Sequence, residues 1–255
     1  MKKTVHIKNI TIGEGLPKIC VPVIGSTREE ILMQTEAAAA HSPDLLEWRV
    51  DFFEECMDEE AVSSVMQDMR EKMGEIPLLF TFRTAREGGN RSISAKDYAD
   101  LLSSAAKHSL DLIDVEIYMD GVRDSGLIEQ LQTQKIRVIA SNHHFEGTPS
   151  AEEMLSVLGD MEQAGADILK LAVMPQNTRD LLKLLSVTEE GSRRFSHPLI
   201  TMAMGGCGVL SRIAGEQFGS AVTFACVGRA SAPGQIPIAK LREMMSKLHE
   251  FGEKM

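Results

Sequence analysis

Most of the marks that assign a chain to a class at sight are missing here. The four cysteines, Cys20, Cys56, Cys207 and Cys226, form no CxxC pair, so neither a zinc site nor a redox dithiol is expected and the thiols read as reduced. No GxGxxG follows the first predicted strand and no GxxxxGKS/T occurs, which excludes a dinucleotide turn and a P-loop. No HExxH is present, and the adjacent His143 and His144 make a poor chelate because neighbouring strand residues point to opposite faces. No metal or other cofactor is expected. No apolar run approaches the length of a membrane span. The opening lysines have no apolar segment behind them, so no secretory signal is expected either. Positive charge is in deficit: Lys and Arg total 27 against 37 Asp and Glu, a net charge of −10, which argues against a general nucleic-acid binder. Low-complexity segments and strong internal repeats are also lacking. The expectation is a cytoplasmic protein with neither membrane nor nucleic acid as partner.

What remains is a rhythm. With 255 residues, 43 % hydrophobic, the chain can bury one large core, and 1–255 is expected to be a single domain. Residues 4–16 alternate Val5, Ile7, Ile10 and Ile12 with polar neighbours, which predicts a small hairpin or arm over 1–17. From residue 18 apolar strands and helical segments take turns. Strands are predicted at 18–25, 45–53, 77–84, 112–118, 137–143, 168–173, 198–204 and 222–228. Helices are predicted at 27–41, 58–73, from 94, and at 124–134, 150–164, 177–190, 208–218 and 237–251. Thr27 to Glu30 reads as a capping box. Eight strand–helix units predict an α/β fold, a (β/α)8 barrel over 18–255 rather than an open sheet.

Parity along the strands then sorts the polar residues. In 168–173, Leu169, Leu171 and Val173 point one way and Ile168, Lys170 and Ala172 the other. A lysine there loses hydration, which disfavours its charged form, and a neutral amine forms a Schiff base with a carbonyl compound. Glu47, Arg49 and Asp51 share a face opposite Leu46, Trp48, Val50 and Phe52. Phe80 and Phe82 face the helices and Arg83 faces inward. Asp114 and Glu116, then Ser141 and His143, follow the same pattern. Each residue singly has a bland reading as a paired or packed side chain. Their convergence on one end of one barrel does not, since barrel active sites lie at the C-terminal ends of the strands and buried charge is costly unless it pairs or binds. A histidine titrating near neutrality moves protons beside an imine, a carboxylate such as Glu87 is placed to orient it, and arginines clamp a carboxylate. The residues alone support a Schiff-base lyase or aldolase acting on a small anionic keto compound.

Six segments carry a more specific signal: Glu47-Trp48-Arg49-Val50-Asp51, Phe82 to Gly89, Ser141-Asn142-His143-His144-Phe145, Lys170 to Pro175, Gly208-Val209-Leu210-Ser211-Arg212 and Ser231-Ala232-Pro233-Gly234-Gln235. In this order the chain resembles the type I 3-dehydroquinate dehydratase family over nearly its whole length. The resemblance implies a (β/α)8 barrel with its N-terminal hairpin closing the bottom, usually a homodimer, that dehydrates 3-dehydroquinate to 3-dehydroshikimate in the shikimate pathway. The implied reaction is a syn elimination through a lysine Schiff base. By position, Lys170 resembles the Schiff-base lysine, His143 the general acid/base and Glu87 its orienting partner. Glu47, Arg49, Arg83, Arg212, Ser231 and Gln235 resemble the substrate-binding set. Met202, Met204 and Phe224 are either apolar walls of that pocket or ordinary barrel core. The loop at 231–237 is either a lid or a plain connecting turn. Two positions depart from the family pattern: Gly205-Gly206-Cys207 replaces a more basic stretch, and His144 stands where an acid is expected. The rival readings are a class I aldolase on a keto-sugar phosphate, with Gly205-Gly206 and Gly228 offering phosphate loops, and a non-catalytic barrel that binds a small acid.

Overall fold

The computed structural model describes residues 3–108 and 110–252; the remaining ends of the predicted 1–255 domain and residue 109 lie outside the described residues. The chain opens with an antiparallel hairpin, β1 (Val5–Ile7) and β2 (Ile10–Ile12), in which Val5 faces Ile12. Eight parallel strands follow: β3 (Lys18–Val23), β4 (Leu45–Arg49), β5 (Leu78–Thr81), β6 (Leu112–Glu116), β7 (Arg137–His144), β8 (Ile168–Val173), β9 (Leu199–Ala203) and β10 (Val222–Cys226). Each of β3 to β8 pairs with the next, and β10 pairs with β3. The ring closes where Ala221 N donates to Leu199 O at 2.7 Å, beside a parallel bridge between Leu199 and Ser220. Parallel neighbours need crossovers, and these are α1 (Arg28–Ala39), α2 (Glu59–Met73), α3 (Ala95–Ala105), α4 (Leu127–Thr133), α5 (Ala151–Gln163), α6 (Thr178–Arg194), α7 (Val209–Ile213) and α8 (Gly215–Phe218), with α9 (Ile238–Gly252) following the last strand.

Local chemistry sets the ends of these helices. Asp58 caps α2 by accepting from the Glu60 and Ala61 amides, Arg70 and Lys72 sit in its last turn, and Gly74 follows at φ 59°, where a side chain is disfavoured. Ser150 and Glu153 form a reciprocal capping box at α5. At α1 the expected box is only half made. Thr27 accepts from the Glu30 amide, but the Glu30 carboxylate turns back to Ser26 N and Oγ.

Two cores result. Trp48, Phe80, Phe82 and Val115 pack with the helices in the outer one, where the Trp48 ring meets the edge of Phe80 at 5.8 Å. The inner core holds Cys20, Leu45, Leu79, Leu112, Ile139, Ile168, Ile200 and Val222, with Val5, Ile7 and Ile12 buried in the same cluster. The hairpin thus plugs the N-terminal end of the barrel, and the inward polar residues further along β4 to β8 are left to the C-terminal end.

Several boundaries differ from expectation. The second barrel strand stops at Arg49, and Val50–Phe52 forms a 3-10 turn. Its cause is Asp51, which folds back so that its carboxylate accepts from Arg49 Nε and Nη2, both at 2.8 Å, and from the Arg83 and Asn90 amides. The third, fourth and eighth strands end early, at Thr81, Glu116 and Cys226, and the helix predicted at 124–134 is shorter. The helix predicted over 208–218 is broken into α7 and α8. Thr223 Oγ1 donates to Arg212 O at 3.0 Å and so takes the carbonyl that a continuing helix would use. The 231–237 segment ends in a short strand, β11 (Ile236–Pro237), parallel to β10.

Candidate active site

Inward parity places Glu47 and Arg49 from β4, Asp114 and Glu116 from β6, Ser141 and His143 from β7 and Lys170 from β8 at the same barrel end, with Arg83 just past β5. Lys170 is 3 % exposed. Its Nζ lies 2.9 Å from Asp114 Oδ2, 3.8 Å from Glu47 Oε1, and 4.8 Å above the Phe224 ring. Asp114 Oδ1 accepts from Arg83 Nη2 at 2.7 Å and from Ser141 Oγ at 2.6 Å. Burial works against the Asp114 anion, yet Arg83 and Lys170 outweigh it and bring its pKa down to about 2. Arg83 Nη1 also donates to Glu116 Oε1 and Ser141 Oγ, and these carboxylates hold its guanidinium more firmly protonated than usual despite its burial. Glu47 Oε1 accepts from Thr81 Oγ1 at 3.0 Å.

His143 and Glu87 form the second unit. Glu87 sits on a 3-10 turn, Ala85–Glu87, that follows β5, and its Oε2 lies 2.8 Å from His143 Nδ1. Burial is the main cause that pushes the Glu87 carboxyl up to about 8, against the opposing pull of Arg83. Burial, helped by Arg83, Lys170, Arg49 and His144, also holds the His143 imidazole well below its ordinary value. Both shifts disfavour charge in the same small volume, so the two groups titrate as a pair. Because Nδ1 faces Glu87, Nε2 is the nitrogen available for proton transfer.

Arg212 is the third element. It is 2 % exposed. Its Nη1 donates to Phe224 O and its Nη2 to Pro233 O, at 3.5 and 3.2 Å. Nε has no hydrogen-bond partner, and no carboxylate pairs with Arg212, among the described residues. Desolvation brings its pKa down to about 10. Every other buried arginine in the barrel mouth has an acid: Arg49 has Asp51, and Arg83 has Asp114 and Glu116.

All twelve residues singled out in the sequence, Lys170, His143, Glu87, Glu47, Arg49, Arg83, Arg212, Ser231, Gln235, Met202, Met204 and Phe224, line one cavity of about 170 Å3. Parity missed three of its features. Phe145 packs on Gly88, where a Cβ would stand 2.3 Å from the ring; the segment Ser141 to Phe145 carried that signal. Asn142 Nδ2 donates to Glu87 Oε1 at 2.9 Å although alternation points Asn142 away from His143. Ala232 and Pro233 complete the roof, where Ser231 and Gln235 bond to each other through Ser231 N to Oε1 and Nε2 to Ser231 Oγ. The Gly205–Cys207 departure touches this roof: Gly205 N donates to Pro233 O at 3.1 Å. None of Gly205, Gly206 and Gly228 is among the residues lining the cavity. Among the described residues no group of three or more His, Cys, Asp or Glu is placed to hold a metal ion.

A barrel that gathers a buried lysine, a histidine–carboxylate pair and an acid-free arginine around one small cavity at its strand C-termini is built as an enzyme for a small anion. The comparisons with known proteins are specific about which. The sequence model of the type I 3-dehydroquinase family matches residues 19–251, and the chain belongs to that family. It is 44 % identical over 251 residues to a 3-dehydroquinate dehydratase of Listeria monocytogenes, covering 98 % of this chain and 99 % of the relative. The crystal structure of 3-dehydroquinate dehydratase from Geobacillus kaustophilus superposes with a TM-score of 0.94 at 41 % identity, covering 98 % and 97 % of the two chains. The type I enzyme from Clostridium difficile with covalently modified comenic acid also gives a TM-score of 0.94, at 43 % identity and 98 % and 99 % coverage.

Proposed function

We propose that this chain is a hydro-lyase that converts 3-dehydroquinate to 3-dehydroshikimate in the shikimate pathway, by syn elimination through a Schiff base on Lys170. The observation that carries the reading is the placement of the Lys170 amine, 3 % exposed, in the cavity that also holds His143 and Arg212. Names of relatives support the substrate. The geometry supports the division of labour.

Lys170 Nζ attacks the ketone carbon, the carbonyl oxygen departs as water, and a protonated imine remains. Asp114 and Glu47 beside the nitrogen stabilise that cation. The imine draws electrons from the adjacent C–H bond. His143 Nε2 accepts the proton, and the electron pair moves onto the imine nitrogen to give an enamine. Glu87 steadies the imidazolium through Nδ1. Return of the electrons expels the hydroxyl one carbon further on, and His143 hands that oxygen its proton, so water leaves. Hydrolysis of the product imine restores Lys170. Arg212, the cation without a protein anion, receives the substrate carboxylate. Arg49, Arg83 and Glu47 supply the polar floor, and Met202, Met204 and Phe224 the apolar wall. Ser231 and Gln235 bring the loop over the mouth, which excludes water from the imine. No cofactor enters these steps.

The homodimer and the cytoplasmic location belong to the same proposal. They fit a biosynthetic enzyme, and no helix among the described residues is long and apolar enough to cross a membrane. The test is turnover of 3-dehydroquinate by purified protein, followed by the absorbance of the conjugated product, with Lys170→Ala as control. Turnover that survives Lys170→Ala contradicts the proposal.

A further inference from the structure

The Glu87–His143 pair is a partition between two cavities. One is the cavity that holds Lys170. The other, of about 210 Å3, is reached past Arg86 and Tyr118, which are exposed, and runs in to Glu87, Glu116 and Asn142. Glu87 and His143 line both. Strand alternation sends His143 to the barrel interior and Asn142 to the other face, yet both reach Glu87, because its turn stands at the end of β7. His143 Nδ1 meets Oε2 and Asn142 Nδ2 meets Oε1. The carboxylate is gripped from both faces of one strand.

Asn142 carries a second signal. Its Oδ1 is buried with no hydrogen-bond partner among the described residues. While Glu87 is ionised the amide does not turn round, since reversal would set its oxygen against the Glu87 oxygen. A buried acceptor orphaned beside a polar cavity that opens to solvent requires a water as donor.

We propose that Asn142 is a positioning residue for the Glu87–His143 pair, and that the cavity behind it holds the water through which Glu87 exchanges protons with solvent while substrate fills the front cavity. This rests on the lyase reading above, in which the pair must carry a substrate proton in the middle of the reaction. The amide N–H favours ionised Glu87. The other groups facing the pair are Arg83 just past β5, Asp114 and Glu116 from β6, Arg49 from β4, Lys170 from β8 and His144 on β7. Apart from His143 itself, Asn142 is the uncharged side chain among the described residues that both bonds to the carboxylate and fronts the rear cavity.

Two variants of the full chain test the first part, Asn142→Leu and Asn142→Asp. Both remove the donor, and Asp adds a like charge. The expected result is a kcat loss of about tenfold with KM changed by less than about twofold. The acid limb of the kcat/KM profile should move to higher pH, further for Asp than for Leu. A merely structural role would lower thermal stability and leave the limb in place, so an unmoved limb in both variants overturns the assignment. A high-resolution crystal structure of the unaltered protein tests the second part. Ordered water within hydrogen-bond distance of Asn142 Oδ1 is expected, and a dry cavity overturns it. Turnover of 3-dehydroquinate by the unaltered protein separates failure of the lyase reading from failure of this one, and the crystallographic test stands without it.

Discussion

Lys170 and Asp114 are bonded at 2.9 Å in the centre of the barrel, and both are essentially without solvent contact. The lysine that strand parity picked out as a nucleophile therefore rests against a carboxylate that is itself tied to Arg83 and Ser141. Removing that carboxylate takes the nearest anion from two buried cations, leaving Lys170 with Glu47 at 3.8 Å and Arg83 with Glu116, a change that costs about 3 kcal/mol. Asp114→Asn should lower the melting temperature by about 10 °C, at about 2–4 °C per kcal/mol for a chain of this size, and calorimetry checks it.

The same pair fixes a pH dependence of stability. Asp114 is held down at about 2 in the folded chain, below its value of about 3.9 when unfolded. A depressed carboxyl contributes stability that is complete above the unfolded value and is lost as pH falls through the folded one. Acid titration between about pH 4 and pH 2 should therefore show a steeper loss of unfolding free energy in the unaltered protein than in Asp114→Asn.

Activity is also lost toward acid, but through a carboxyl whose pKa is raised rather than lowered. The form of the pair able to accept a proton on Nε2 is the one with Glu87 ionised and His143 neutral. Glu87 is pushed up to about 8, so that form is lost as pH falls below this value. The kcat/KM profile should descend on its acid side with an apparent midpoint near it, and Glu87→Gln should abolish that limb and lower kcat by about a hundredfold.

Arg212 separates binding from stability. It is a buried cation whose protein contacts are two carbonyl oxygens, so its loss relieves desolvation while depriving the substrate carboxylate of its partner. Arg212→Met should raise KM by about thirtyfold or more, equivalent to about 2 kcal/mol, with a smaller fall in melting temperature than Asp114→Asn.

The roof offers a backbone test. Gly234 has φ 81°, and a Cβ there would stand 2.4 Å from Gly205 O. Gly234→Ala is strained both in its own conformation and against the neighbouring loop, at a cost of about 1–3 kcal/mol. Because Gly205 N already holds Pro233 O, the two loops must part. KM should rise and the 231–235 segment should become sensitive to limited proteolysis.

The strand–helix alternation was legible, because parallel strands buried on both faces and amphipathic helices each leave a period in the chain. Parity along β4, β6, β7 and β8 put Glu47, Asp114, His143 and Lys170 on the inner face, since a side chain in a strand has two directions to choose from. What strand alternation did not reveal lies where strands stop. Asp51 was expected inside the barrel as a strand residue and instead closes a 3-10 turn on Arg49, because its carboxylate satisfies two loop amides there. Asn142 was in plain view within Ser141 to Phe145, but alternation assigned it to the far face. Only the turn carrying Glu87 brings that face into the site. The break after Arg212 was hidden for a similar reason: the hydroxyl that ends the helix comes from Thr223, in the next strand.

Covalent trapping on Lys170 tests the central claim most directly. Protein is incubated with 3-dehydroquinate, sodium borohydride is added, and the digest is mapped by mass spectrometry. The account predicts a stable secondary amine on the peptide containing Lys170, formed in step with loss of activity and absent without substrate. Dehydration that proceeds while no adduct forms on Lys170 would contradict it.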